Sequence, residues 1–102
     1  MMQKNTLTRD HLLELLRQRK PEFEQTYGIT AIGIFGSFAR DTANQGSDVD
    51  IVVKMRRPDL FSLVHVKEEL EESCHAKVDI VHYRDQMNAF LKNRIDREAI
   101  YV

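Results

Sequence analysis

The sequence predicts a small α/β fold of the α+β kind, a mixed β-sheet flanked by helices, and three observations carry that expectation. Three short apolar runs, Ile29 to Phe35, Ile51 to Val53 and Val78 to Val81, read as strands bounded by glycines or polar turns. Longer segments between and around them space leucine, valine and phenylalanine at helical intervals. The chain of 102 residues can bury one modest core and leaves no room for a second, so residues 1–102 are expected to form a single domain.

Taken in order, the elements read helix, strand, short helix, strand, helix, strand, helix. Thr8 is placed to cap the first helix, with Leu7 and Leu12 as a hydrophobic staple and Leu12, Leu13, Leu15 and Leu16 as its apolar face. Pro21 is expected to kink this segment or to start a second helix toward Tyr27, and Gly28 to end it. A further helix should follow Pro58, with Leu60, Leu63, Val64, Leu70 and Cys74 at helical spacing. Its charged run from Lys67 to Glu72 reads as a solvated face. The last helix carries Met87, Phe90, Leu91 and Ile95 on one side. No repeat or low-complexity tract interrupts this order.

The richest stretch runs from Ile32 to Val53. Gly36-Ser37 follows the first strand, and Ser37 stands where an N-cap would begin a short helix through Phe38, Ala39 and Arg40. Such a helix start presents unpaired backbone amides to an anion, Gly36 permits close approach, and the Ser37 hydroxyl and Arg40 add further donors. Ten residues on, Gly46-Ser47-Asp48-Val49-Asp50 leads into the second strand. Asp48 and Asp50, two residues apart, then share one face while Val49 and Ile51 point into the core. Two adjacent carboxylates repel unless a cation lies between them, and magnesium, which shares oxygen ligands with phosphates, suits the pattern. Asp79, within the third strand, offers a third carboxylate, and the set of three matches a two-metal site with ions about 3.5–4 Å apart. An Asp-x-Asp pair alone is common in a chain with 16 acidic residues. Its order after a Gly-Ser turn carries the reading.

These segments, Gly36-Ser37-Phe38-Ala39-Arg40, Ser47-Asp48-Val49-Asp50 and Val78-Asp79-Ile80-Val81, together with the tail Arg97 to Val102, resemble the minimal nucleotidyltransferases of the DNA polymerase beta-like superfamily. The resemblance spans nearly the whole chain. It implies that fold, with Gly36, Ser37 and Arg40 binding the triphosphate of ATP and Asp48, Asp50 and Asp79 as catalytic magnesium ligands, Asp79 also serving the acceptor hydroxyl. It further implies transfer of AMP to a partner protein, a HEPN-type ribonuclease toxin, with this chain as antitoxin. One departure stands out: Asp41 follows Arg40 where the family commonly has glycine. Aspartate tolerates a left-handed backbone, but its charge beside a triphosphate would weaken nucleotide binding.

Two other functions stay open at this stage. The chain could neutralise a partner by occlusion, using its last helix and the apolar tail Ile100, Tyr101 and Val102, or it could modify a small molecule as a homodimer. Other nucleotide motifs are absent: neither a P-loop nor a dinucleotide fingerprint occurs. His11, His65, His75 and His82 lack metal-ligand spacing, and the single cysteine excludes an internal disulfide. A net charge of -1 offers no global attraction to nucleic acid or anionic membrane. The run Lys54, Arg56 and Arg57 reads as a solvated strand end. With no apolar leader or membrane span in view, a cytoplasmic location is expected.

Overall fold

The computed structural model describes residues 7–44 and 46–102. The expectation of no apolar leader rests partly on residues 1–6, which lie outside the described residues. No helix described is long and apolar enough to cross a membrane.

Helix α1 spans Arg9–Tyr27, and Thr8 caps it by accepting the His11 amide at 3.2 Å. The helix neither breaks nor restarts at Pro21. Proline removes one backbone hydrogen bond there, yet Leu12, Leu16 and Phe23, on both sides of it, are fully buried and hold the two halves to one surface. Gly28 ends the helix with φ 72°, a left-handed cap whose amide returns to Glu24.

Strand β1 (Ile29–Phe35) pairs antiparallel with β2 (Val49–Met55). Helix α2 (Leu60–Cys74) then crosses to β3 (Val78–His82), which runs parallel to β2. Helix α3 (Ala89–Glu98) leads to a two-residue strand β4 (Ile100–Tyr101), antiparallel to β1, so the sheet order is β3-β2-β1-β4. The mixed sheet between helices is as expected.

Alternation along the strands separates two faces. Ile32, Ile34, Val49, Ile51, Val53 and Val78 pack with the α1 and α2 side chains in the main core. Phe35 and Val52 join Ile95 of α3 in a smaller cluster on the other face, with Val81, Met87 and Leu91 around it. That second face carries the candidate site.

Several expectations need correction. On α2 the buried stripe runs through Val66, Leu70 and Cys74, with Leu63 packed beside it. Leu60 and Val64 fall off that stripe and are 73% and 43% exposed. The charged run on this helix is not simply a solvated face. Glu69 takes the Tyr27 hydroxyl at 2.6 Å and the Arg19 guanidinium, and Glu71 takes the Val78 amide at 3.0 Å. On α3, Leu91 and Ile95 pack inward while Phe90 is 77% exposed. The basic run is the solvated strand end expected, with Lys54, Arg56 and Arg57 all exposed; Lys54 stands over the Tyr83 and Tyr101 rings, and Arg56 reaches Glu24 at 3.5 Å.

The apolar tail is no loose end. Ile100 and Tyr101 pair with Ile34 and Gly33, and the Val102 amide bonds Ile32 at 3.1 Å. Gly33 permits this, because a Cβ there would sit 2.5 Å from the Ile100 carbonyl oxygen.

Candidate active site

The Gly-Ser turn follows β1 directly. Gly36 has φ 76°, and a Cβ built on it would lie 2.1 Å from Asp50 Oδ2. Only glycine satisfies both the backbone and that contact. The expected short helix is a single turn: the Arg40 amide reaches Gly36 O at 3.0 Å, and the Thr42 amide returns to Ser37 O at 2.9 Å. Asp41 stops it by entering the left-handed region at φ 62°. Its carboxylate stands 3.9 Å from Arg9, whose guanidinium also donates to Ala39 O at 3.3 Å. The amides of Ser37, Phe38 and Ala39 and the Ser37 hydroxyl donate to no group among the described residues.

The second turn is closed by Asn44. Its Oδ1 accepts the Gly46 amide at 3.0 Å, its carbonyl accepts the Ser47 amide at 3.1 Å, and its own amide donates to Ser47 Oγ at 2.9 Å. Asp48 follows this turn exposed, and Val49 enters the sheet with its amide on Lys77 O at 2.8 Å. Asp50 is the register partner of Asp79 in the parallel β2–β3 ladder. Both therefore stand on the α3 face, one step beyond the packed pair Val52 and Val81.

Electrostatics express this crowding. Burial pushes the Asp50 carboxyl above the usual carboxylate range, the charge of Asp79 adds to it, and Asp48 contributes in the same sense against Arg94 and Arg40. Among the described residues, no three His, Cys, Asp or Glu side chains converge closely enough to enclose an ion. Asp50 and Asp79 are neighbours on one face, Asp48 just before β2 acts on Asp50 through its charge, and the three form no closed cage.

Glu98, the last residue of α3, belongs to the same cluster. Its Oε1 accepts the Gly36 amide at 3.1 Å, its Oε2 pairs with Arg40 Nη1 at 3.0 Å, and Arg94 stands 3.7 Å away. Burial opposes its charge, but the Gly36 amide and the Arg40 guanidinium outweigh it and hold the carboxyl below the ordinary glutamate value. The sequence offered no signal for this contact, since 62 residues separate Glu98 from Gly36. Asn44 was detectable in principle, as an Asn two residues before a glycine in a turn.

A family model described as polymerase beta, nucleotidyltransferase matches residues 17–102. The protein adenylyltransferase MntA of Thermococcus cleftensis is 32% identical over 97 residues, covering 94% of this chain and 97% of its own. A candidate protein adenylyltransferase of Methanocaldococcus jannaschii is 31% identical over 96 residues, covering 93% and 98%. Among solved structures, a candidate minimal nucleotidyltransferase superposes with TM-score 0.67 at 33% identity, over 86% of this chain and 93% of that one. A toxin–antitoxin complex holding AMP-PNP contains a chain of the same fold, TM-score 0.68 at 22% identity, over 93% and 72%. With the turn, the carboxylates and the sheet that joins them in place, the chain belongs to the polymerase beta nucleotidyltransferase family.

Proposed function

We propose that the chain transfers AMP from ATP to a hydroxyl group of a partner protein, that the partner is a HEPN-type toxin, and that this modification makes the chain its antitoxin. The observation that carries the reading is the register pairing of Asp50 with Asp79 beside a Gly36-Ser37 turn whose amides at Ser37, Phe38 and Ala39 lack partners among the described residues. The MntA relative is named a protein adenylyltransferase, and a tri-AMPylated HEPN toxin of Shewanella oneidensis has been solved with an antitoxin of this fold, TM-score 0.62 at 17% identity.

The donor set suits magnesium. Asp48, Asp50 and Asp79 supply only hard carboxylate oxygens, and the raised carboxyl of Asp50, in which burial leads and Asp79 adds, marks negative charge that a cation would relieve. Those three residues would hold the metal, which when bound neutralises the triphosphate and acidifies the acceptor hydroxyl. The Ser37, Phe38 and Ala39 amides, the Ser37 hydroxyl and Arg40 orient the β- and γ-phosphates. Asp79, exposed on β3, meets the acceptor hydroxyl and takes its proton. The acceptor oxygen forms a bond to the α-phosphorus as the bond to the β-phosphate oxygen breaks, and pyrophosphate leaves.

The test is the intact mass of the protein that co-purifies with this chain, before and after ATP and magnesium, beside an Asp48→Asn, Asp50→Asn control. The expected result is a gain of whole AMP units on the partner that the control lacks. A stable complex whose partner mass never changes with any nucleotide would replace transfer by occlusion. Absence of any partner would redirect the reading to small-molecule acceptors.

A further inference from the structure

On the nucleotide-binding reading Arg40 and the turn that begins at Gly36 face the phosphates, yet the Arg40 side chain and the Gly36 amide have no partner near them in sequence among the described residues. The turn that carries them makes one helical loop and stops at Asp41. A single turn has little intrinsic rigidity. Arg40 is exposed, and a free arginine would lose rotamer freedom whenever it engaged a ligand.

From the geometry we infer that Glu98 is the positioning residue of the triphosphate site, acting through Arg40 and the Gly36 amide; this rests on the nucleotide-binding reading above. One carboxylate engages both groups, by separate oxygens, at 3.1 and 3.0 Å. The Glu98 side chain is 16% exposed and the Arg40 side chain 47%, so the carboxylate end of the pair is sheltered while the guanidinium still reaches solvent. Glu98 is itself fixed from both sides. The α3 backbone closes on it through the Ala99 amide to Ile95 O at 2.9 Å, and β4 begins two residues later against β1. Arg94, one turn back on α3, steadies the same carboxylate.

The arrangement divides the turn's donors. Glu98 consumes the Gly36 amide and one nitrogen of the Arg40 guanidinium, while the Ser37, Phe38 and Ala39 amides have no partner among the described residues. An arginine has five N–H donors, so pairing through one nitrogen leaves others for a phosphate. The carboxylate thus orders the cradle without filling it.

The experiment is calorimetric titration of the full chain with ATP in the presence of magnesium, for wild type, Glu98→Gln, Glu98→Ala, Arg40→Ala and the Arg40→Ala, Glu98→Gln double variant. Glu98→Gln keeps an acceptor for the Gly36 amide and loses the charge facing Arg40. It is expected to weaken ATP about tenfold, and Glu98→Ala more. The double variant should bind within about twofold of Arg40→Ala, because the introduced glutamine then has no arginine left to misplace. Additive losses would overturn the inference, since a general structural defect would give them. ATP affinity in Glu98→Gln equal to or tighter than wild type would also overturn it, the tighter case marking the carboxylate as a rival of phosphate. If Glu98→Ala does not fold, the near-isosteric Glu98→Gln cycle decides alone. No ATP binding by the wild type would overturn both this inference and the nucleotide reading, whereas wild-type binding with unaffected variants would sink the inference only.

Discussion

Gly36→Ala tests whether the turn and the carboxylates form one site. An alanine Cβ would lie 2.1 Å from Asp50 Oδ2, so the carboxylate must retreat by more than an ångström to reach ordinary contact. At φ 76° the alanine also carries about 1–2 kcal/mol of left-handed strain. Displacing a packed side chain adds about 1–3 kcal/mol. Together these give a loss of about 2–5 kcal/mol, a melting temperature lower by about 10–30 °C in a domain this size. Where the protein remains folded, the misplaced Asp50 should cost about 100-fold in AMP transfer. Scanning calorimetry and labelled-ATP transfer measure the two effects. Gly46→Ala is the control: its nearest atom would be Asn44 Oδ1 at 3.9 Å, and near-native stability is expected. A Gly36→Ala protein with native melting and native transfer would refute the contact between turn and carboxylate.

Asp50→Asn should separate stability from activity: it removes a carboxylate disfavoured by burial and then by Asp79, so the metal-free protein should melt about 2–5 °C higher in chelator while transfer disappears. A lower melting temperature would contradict the electrostatic account of the pair. Gly33→Ala should detach β4, because the new Cβ would meet the Ile100 carbonyl at 2.5 Å; faster hydrogen exchange of the Val102 amide, now bonded to Ile32, is the signal to follow. For acid sensitivity, the Tyr27 hydroxyl, ahead of the Arg19 guanidinium, holds the Glu69 carboxyl below its ordinary value. Its folded value lies below its unfolded one, so its contribution is full above the ordinary glutamate range and is lost as pH falls through the folded value. Tyr27→Phe should therefore flatten the loss of stability on acidification, and an unchanged pH profile of melting would show that Glu69 does not contribute.

Local signals made much of this molecule legible. Thr8 and Gly28 bracket α1 because capping is decided within four residues, and the bounds of β1 follow from glycines at both ends. Asp48, Asp50 and Asp79 were readable as candidates because period-two alternation assigns a face before any partner is known. The errors came where distant packing decides. Pro21 starts no second helix, the restart being one of the two outcomes expected there, because Leu16 and Phe23 are buried in one core across it. The Gly-Ser turn promised a helix that Asp41 cuts short, although the left-handed tolerance of aspartate was itself readable. Leu60 and Val64 looked like core by spacing alone, since period cannot say which of two neighbouring stripes meets the sheet. Ile100 and Tyr101 form a strand only because Gly33 leaves space beside β1, and Glu98 reaches Gly36 only because that strand brings the tail there.

β3 is an outer strand of the sheet, and Asp79 stands exposed on it. No strand pairs beyond β3 among the described residues, so on the transfer reading a partner's hydroxyl reaches Asp79 at an open side of the sheet, and recognition need not rest on contacts around the acceptor residue alone. Selectivity then depends on how long and in what orientation a partner stays docked elsewhere on the surface. Docking turns an encounter into an intramolecular event at an effective concentration in roughly the millimolar range, well above that of free hydroxyl compounds at low abundance. Changing residues that flank the acceptor hydroxyl should matter little to such a transferase, while loosening the docked complex should slow every addition it makes.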